Sequence, residues 1–171
     1  MKVYWGFDED SGKTVIETLA NECLQRGIRL STAESCTGGM VSAAFTDLAG
    51  SSSWFDAGFI TYSNQAKMKM LNVSEGTLNA HGAVSEAVVS EMAIGAVKNS
   101  LAHYAVSISG IAGPGGGTQE KPVGMVCFGV SDGKRTLCET QYFKGDRASV
   151  RLQSRDFAIG FLLSFIRESQ A

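Results

Sequence analysis

The sequence lacks the features that mark membrane, secreted and nucleic-acid-binding proteins. No apolar run approaches the roughly 20 residues of a membrane-spanning helix. The first ten residues carry three acidic side chains and lack the basic-then-apolar order of a signal peptide. The formal net charge is −2, and no basic run offers a binding surface for nucleic acid. We therefore expect a cytoplasmic protein with no membrane and no nucleic acid among its partners.

Residues that could bind a metal ion are also few. The chain has four cysteines and two histidines, and the cysteines show no C-x-x-C spacing. These residues are Cys23, Cys36, Cys127, Cys138, His81 and His103. A structural zinc site needs about four such ligands at close spacing. We therefore expect no metal site, and we interpret the cysteines as free thiols of a reducing compartment.

What the sequence does have is a regular alternation of helical and strand patterns. Hydrophobic residues make up 44% and charged residues 19%, as is typical of a globular protein. The predicted helices cover residues 14–26, 37–48, 64–71, 85–101 and 146–167, with a further turn near 75–80. The predicted strands cover residues 28–34, 54–62, 104–109, 122–131 and 135–143.

This alternation predicts an α/β fold, specifically a three-layer α/β/α sandwich with a mixed sheet. The last two strands are joined at Asp132-Gly133, a strong signal for a hairpin turn. No linker or repeat divides the chain, so we expect a single domain over residues 1–171. Residues 1–11 fit no element and are interpreted as an N-terminal arm or an added edge strand.

The most informative stretch is Ser-Thr-Ala-Glu-Ser-Cys-Thr-Gly-Gly at residues 31–39. It follows a short apolar strand and precedes a helical pattern, so it brings Ser35, Cys36 and Thr37 to a predicted helix N-terminus. The two glycines let a substrate approach the backbone closely. Free N–H groups at a helix start favour anions and developing negative charge. The stretch therefore indicates either a nucleophile or a phosphate site.

A second polar cluster, at residues 61–67, offers a base for such a nucleophile. Asn64 is the predicted N-cap, which places Lys67 in the first helical turn, where the helix dipole lowers the pKa of an ammonium group. A base needs a pKa of roughly 7–8 instead of about 10.4, a difference of about 4 kcal/mol. The dipole supplies about 0.3–1 kcal/mol, so burial has to supply the rest. Tyr62, at the end of the preceding strand, is placed to share or relay the proton.

Spacing alone leaves three interpretations of these clusters open. Ser35 and Lys67 could form a catalytic pair. Cys36 could be the nucleophile instead, because thiols ionise more readily than hydroxyls, although neither histidine lies in a polar cluster beside it. Lys67 could also be an ordinary solvated lysine without a role in chemistry.

A third cluster is the glycine-rich segment at residues 110–117, which follows the strand ending at Ser109. It fits either a main-chain nest for phosphate or a tight structural loop, since it matches neither the P-loop nor the Rossmann pattern. The candidate binding residues are Ser109, at the end of that strand, and Gly110, Gly113, Gly115 and Gly116 of the loop. Arg147, at the start of the last helix, could hold a phosphate bidentately or form a surface salt bridge.

Together, these clusters resemble the CinA C-terminal domain family, in its stand-alone nicotinamide-nucleotide amidase form. The matching stretches are residues 32–39, 62–64 with Lys67, 81–85, 107–114, 121–124 and 145–147. The resemblance spans about residues 12–168. The nucleotide-pyrophosphatase-like domain of longer members has no counterpart in it, so we expect the amidase activity alone.

The resemblance implies hydrolysis of nicotinamide mononucleotide to nicotinate mononucleotide and ammonia, a step in pyridine-nucleotide recycling, with no metal and no cofactor. It implies Ser35 as the nucleophile, Lys67 as the base and Tyr62 as the third member of the catalytic group. The substrate is thus expected to be a small molecule, held by its phosphate at the 110–117 loop and Arg147.

The remaining predicted roles concern the residues around the nucleophile. The N–H groups of Thr37, Gly38 and Gly39 are placed to stabilise the oxyanion. Glu34 either favours the pyridinium cation of the substrate or bonds to the backbone. We also expect a homo-oligomer. Apolar residues near 54–55 and on the last helix could form its interface, and a core role fits them equally well.

Overall fold

The computed structural model describes residues 7–8 and 13–169. The strands are β1 (Phe7–Asp8), β2 (Lys13–Thr14), β3 (Leu30–Glu34), β4 (Phe55–Ile60), β5 (Tyr104–Gly110), β6 (Met125–Ser131) and β7 (Thr136–Tyr142). The helices are α1 (Val15–Arg26), α2 (Met40–Thr46), α3 (Asn64–Leu71), α4 (Glu75–His81), α5 (Glu86–Lys98) and α6 (Arg147–Glu168), with a 3-10 turn at Ser51–Ser53. In the predicted N-terminal arm, β1 pairs with β2 in a short antiparallel ladder, and the rest of the arm lies outside the described residues.

Five of these strands form one mixed sheet, in the order β4-β3-β5-β6-β7. Strand β3 runs parallel to both of its neighbours, β4 and β5. The pairs β5 with β6 and β6 with β7 are antiparallel, and β6 and β7 form the predicted hairpin around Asp132-Gly133. The predicted mixed sheet is therefore confirmed.

Helices cover both faces of this sheet. One core contains side chains of α1, α2 and α6 packed against Val106 and Ile108 of β5. The other contains side chains of α3, α4 and α5 packed against Ala105 of the same strand. Alternate residues of β5 thus serve opposite cores, as a strand buried on both faces requires. The three-layer arrangement is confirmed. None of the helices in the described part of the chain combines the length and apolar character needed to cross a membrane.

Several predicted boundaries were wrong. The strand predicted over residues 122–131 begins only at Met125, and the helix predicted over residues 85–101 ends at Lys98. The helix predicted over residues 37–48 is α2, which begins only at Met40, because Gly38 and Gly39 adopt φ values of +59° and +104° that a right-handed helix excludes. The N-cap of α3 is Ser63 instead of Asn64, and its hydroxyl accepts the Ala66 N–H at 3.0 Å.

The apolar residues proposed for a subunit interface lie mainly in the core. Trp54 is 1% exposed and packs edge-on against Phe45. On α6, the apolar side chains Phe157, Leu162 and Phe165 are buried in the first core. The alternative core role is thus confirmed for these residues, and homo-oligomerisation stays a prediction without a located interface.

Close contact between α3 and α5 leads to a first testable prediction. A Cβ atom on Gly95 of α5 would overlap the main chain of Leu71, at the end of α3. We expect Gly95→Ala to lower the free energy of unfolding by about 1–3 kcal/mol, the usual cost of overpacking a core. Urea denaturation measures the effect.

The matched control is Gly76→Ala, in the exposed helix α4. An added Cβ there would lie 3.4 Å from Ser74 Oγ, an ordinary contact. Because alanine favours helix by up to about 1 kcal/mol over glycine, this variant should be neutral or more stable than the wild type. Equal destabilisation by both substitutions would contradict the packing argument.

Candidate active site

The carboxyl ends of three parallel strands meet at one edge of the sheet. In the register of β3, Glu34 pairs with Ile60 of β4 on one side and with Ile108 of β5 on the other. A pocket of about 250 Å³ opens there, at the position where open α/β sheets place their ligands. The lining includes six of the predicted site residues: Ser35, Tyr62, Lys67, Ser109, Gly110 and Arg147.

A larger cavity, of about 310 Å³, lies between the start of α1, the end of α2 and α6. Its described lining contains the apolar side chains of Leu48 and Ile159 and the charged groups of Asp47, Arg155 and Asp156, with no serine, cysteine or lysine. Because a nucleophile and a base come together in the smaller pocket and not in this one, the smaller pocket is the candidate active site.

Ser35 and Lys67 are in direct contact. The Lys67 Nζ atom lies 3.1 Å from Ser35 Oγ and donates a second hydrogen bond of 2.9 Å to the carbonyl oxygen of Thr61. Both side chains are buried, with Lys67 only 1% exposed and Ser35 8% exposed. The bond to Thr61 fixes the direction of the amine, so that it faces the serine hydroxyl.

The surroundings of Lys67 favour its neutral form. No carboxylate in residues 13–169 forms an ion pair with it. Burial lowers the pKa of the Lys67 ammonium group, because a charge is poorly solvated in the protein interior. A neutral amine within hydrogen-bond distance of a hydroxyl is able to take its proton.

Cys36 has the opposite environment for a nucleophile. Its side chain is 7% exposed, and burial raises the pKa of the Cys36 thiol to about 11. The reactive thiolate is therefore disfavoured at neutral pH, which argues against the cysteine alternative.

Glu34 accepts hydrogen bonds from the backbone, which was one of its two predicted roles. Its side chain is fully buried and accepts hydrogen bonds from the N–H groups of Gly39 (2.9 Å), Val41 (3.2 Å) and Ser42 (2.9 Å) and from the Ser42 hydroxyl (2.8 Å). The N-terminus of α2 is thus filled by an internal anion and does not stand open to a substrate. The alternative of a direct contact with the pyridinium cation is not favoured by this arrangement.

This capping changes the expected set of oxyanion donors. The Gly39 N–H is bonded to Glu34, and the Gly38 N–H donates to the carbonyl oxygen of Ser35 at 3.1 Å. Both groups are therefore occupied, contrary to the role expected of them. By contrast, the Thr37 N–H has no acceptor within residues 13–169, and the Cys36 N–H is bonded only to the sulfur of its own side chain, a weak acceptor. The available donors in this turn are thus the two residues that directly follow Ser35.

On the opposite wall, Tyr62 and Arg147 lie together. The Tyr62 side chain is 65% exposed, and its hydroxyl accepts a 3.3 Å hydrogen bond from Arg147 Nη2. Arg147 Nη1 donates to the carbonyl oxygen of Gly113 at 2.8 Å. The structure therefore places Tyr62 on the arginine and shows no hydrogen bond from its hydroxyl to Ser35 or Lys67.

The remaining predicted binding residues divide between the pocket and the surface. Ser109 is buried, and its hydroxyl donates to the carbonyl oxygen of Ala83 at 2.7 Å. Gly115 and Gly116 lie in the exposed part of the 110–117 loop, outside the pocket lining.

Two contacts at this site were missed by sequence reasoning. One is the Thr61 carbonyl, which carries no signal in the sequence because every residue has one. The other is Arg151, which donates to the carbonyl oxygens of Cys36 and Thr37. Its position four residues after Arg147 on the same helix was an available signal, since such residues lie on one helix face.

The chain belongs to the CinA C-terminal domain family, whose model it matches over residues 12–166. It is 56% identical over 135 residues to the nicotinamide-nucleotide amidohydrolase PncC of Escherichia coli K12, across 78% of this chain and 82% of that protein. It is 45% identical to a putative competence-damage inducible protein of Symbiobacterium thermophilum, across 95% of this chain and 39% of that longer protein. A crystal structure of a CinA superfamily protein from Escherichia coli superposes with a TM-score of 0.87 at 34% identity, covering 96% of this chain and 95% of that chain.

Proposed function

We propose that this chain is a nicotinamide-nucleotide amidase, which hydrolyses nicotinamide mononucleotide to nicotinate mononucleotide and ammonia and so serves pyridine-nucleotide recycling. The observation that carries the proposal is the contact between Ser35 and the buried Lys67, which has no carboxylate partner in residues 13–169. The 56% identity to an amidohydrolase of this name supports the choice of substrate.

In the first half of the proposed reaction, Ser35 is acylated. Neutral Lys67 takes the hydroxyl proton as Ser35 Oγ attacks the carboxamide carbon of the substrate. The carbonyl oxygen becomes an oxyanion, which the unoccupied N–H groups of Cys36 and Thr37 stabilise. The lysine proton then passes to the amide nitrogen, the carbon–nitrogen bond breaks, and ammonia leaves.

In the second half, water releases the acid product. Lys67, neutral again, takes a proton from water as the water oxygen attacks the acyl carbon. The same two N–H groups stabilise the second oxyanion. The Lys67 proton returns to Ser35 Oγ as the ester bond breaks, which regenerates the enzyme and gives a carboxylic acid on the pyridine ring. This acid then loses its proton to water and becomes the carboxylate.

The phosphate of the nucleotide is assigned to the side of the pocket formed by Arg147 and the glycine-rich loop. Arg147 lines the pocket and is hydrogen-bonded to this loop at Gly113. The N–H groups of Ile111 and Thr118 are bonded within the protein. Pro114 has no N–H, and those of Ala112, Gly113 and Gly115–Gly117 find no acceptor in the described chain. Successive free N–H groups beside a guanidinium group suit a phosphate dianion.

A coupled ammonia assay on three compounds tests this proposal. We expect turnover of nicotinamide mononucleotide, with nicotinamide riboside and free nicotinamide poorer by about 10-fold or more, because charge-assisted hydrogen bonds to phosphate are worth about 1.5–3 kcal/mol. Arg147→Ala should lower kcat/KM for the mononucleotide and leave that for the riboside almost unchanged.

Two outcomes would count against the proposal. Binding of the mononucleotide without ammonia release over many hours would indicate a non-catalytic nucleotide-binding module. Equal kcat/KM values for the mononucleotide and the riboside would leave the amidase activity intact and overturn the phosphate assignment.

A further inference from the structure

We infer that Arg151 is a positioning residue of this site, which holds the turn at residues 35–38 so that its unoccupied N–H groups face the carboxamide oxygen of the substrate. Arg151 is a residue of α6. Its Nε atom donates to the Cys36 carbonyl oxygen at 3.0 Å, and its Nη2 atom donates to the Thr37 carbonyl oxygen at 3.1 Å. The kinetic part of the inference rests on the proposed amidase function.

The planarity of the peptide group determines the directions in which the N–H groups of Cys36 and Thr37 point. In a trans peptide, the carbonyl oxygen of one residue and the N–H of the next point in opposite directions. When Arg151 binds the Cys36 carbonyl, the Thr37 N–H is therefore directed away from the guanidinium group. The Gly38 N–H binds the Ser35 carbonyl in the same way, which turns the Cys36 N–H away from Gly38.

These two constraints together determine the donors next to the nucleophile. Each of the peptide groups Ser35–Cys36 and Cys36–Thr37 has its carbonyl oxygen bonded. The Thr37 N–H has no acceptor in residues 13–169, and the Cys36 N–H meets only the weakly accepting sulfur of its own side chain. Unsatisfied N–H groups of buried residues are uncommon and need an explanation. Cys36 and Thr37 are both buried, so binding of a developing oxyanion explains why their donors are kept unpaired.

The charge of Arg151 adds to this effect. No carboxylate in the described chain forms an ion pair with Arg151, so no ion pair there neutralises its positive charge beside the two carbonyl groups. A cation bound at the carbonyl oxygen polarises the peptide and makes its N–H a stronger donor. The planar guanidinium group of arginine binds two consecutive carbonyl groups in one fixed geometry. The single ammonium group of lysine lacks this fixed geometry.

The test compares Arg151→Ala, Arg151→Lys and Arg155→Ala. Arg155 is the matched control, because it lies one turn further along α6 and pairs with Asp156 instead of the turn. For Arg151→Ala we expect kcat for nicotinamide mononucleotide to fall on the order of 10²-fold with KM nearly unchanged, as for the loss of an oxyanion donor. Arg151→Lys should retain intermediate activity, methylguanidinium should restore part of the activity of Arg151→Ala, and Arg155→Ala should match the wild type.

A second readout does not depend on the substrate. A fluorophosphonate probe forms an Oγ–phosphorus bond at an activated serine, with loss of fluoride and transfer of the serine proton to Lys67, and it also places an oxyanion near the turn. The rate of Ser35 labelling should therefore fall in Arg151→Ala in parallel with kcat. If that variant does not fold, as judged by circular dichroism, the comparison rests on Arg151→Lys.

The outcomes separate the two proposals. Unchanged kcat and unchanged labelling in folded Arg151 variants would overturn the inference, as would a rise in KM at constant kcat. Labelling of wild-type Ser35 without ammonia release from any of the three compounds would overturn the proposed function alone, and the labelling rates would then decide the role of Arg151. Absence of both labelling and turnover in the wild type would overturn both.

Discussion

Ser35→Ala is expected to lower ammonia release from nicotinamide mononucleotide by on the order of 10⁴–10⁶-fold, the usual effect of removing a serine nucleophile. The reason is that neither Lys67 nor Cys36, the groups next to Ser35 in the pocket, can replace it. Lys67 has its amine bonded to Ser35 and Thr61, and the Cys36 thiol, with its pKa raised to about 11 by burial, stays protonated at neutral pH. The coupled ammonia assay measures the loss.

Cys36→Ala is the matched control, because it changes the neighbouring residue and removes a single heavy atom. It should spare most of the activity and cost only a little stability. Binding of the mononucleotide to Ser35→Ala, measured by calorimetry, should persist, since the substitution leaves the rest of the pocket in place. An inactive Cys36→Ala beside an active Ser35→Ala would assign the chemistry to the thiol.

Lys67→Met is expected to have the second largest effect, a fall in kcat on the order of 10²–10⁴-fold, the typical contribution of general acid–base catalysis. Methionine has nearly the shape of lysine and no proton to transfer. Lys67→Arg tests the charge separately, because arginine stays protonated and therefore cannot act as a base. Both variants should show a loss of this size. Full activity of Lys67→Arg would show that position 67 contributes only a positive charge.

The pH dependence of Lys67→Met gives an independent measurement. In the wild type, kcat/KM should rise with pH as Lys67 loses its proton, and the lowered pKa of this buried amine brings that rise below the ordinary lysine range. The residual activity of Lys67→Met should lack this rise.

Stability should change with pH in a defined direction as well. Between the lowered pKa of Lys67 in the folded protein and about 10.4 in the unfolded chain, the unfolded chain binds more protons, so the free energy of unfolding rises with pH. The wild type should therefore gain stability relative to Lys67→Met as pH increases through that window. Urea denaturation at several pH values measures this difference, and a constant difference would contradict a neutral Lys67.

Much of the fold was predictable because its signals are local. The bounds of α3 at residues 64–71 agree with the structure, since a polar start and a helical apolar spacing lie within a few residues of each other. The start of α2 was not predictable from periodicity, because the backbone conformation of Gly38 and Gly39 overrides it. The sequence does not decide whether Trp54 lies in the core or at a subunit interface. The reason is that the burial of Trp54 depends on its packing against Phe45, which belongs to another element.

The candidate site was predictable to the extent that its residues follow neighbouring strands. Ser35 directly follows β3, and Lys67 lies in α3, the helix that follows β4, so the pairing of β3 with β4 brings the two residues together. The contacts of Glu34 and Arg151 were not predictable in this way. Glu34 bonds to a helix that begins six residues later, and Arg151 reaches carbonyl groups 114 and 115 positions away in the chain.

The carboxylate of Glu34 has a consequence for the last step of the proposed reaction. Hydrolysis converts a neutral amide into an acid, so the product carries a negative charge that the substrate did not have at that position. A vacant helix N-terminus would retain such an anion. Because Glu34 already accepts the N–H groups at the start of α2, these groups are not available to the product carboxylate, and we expect release of the product instead of inhibition by it.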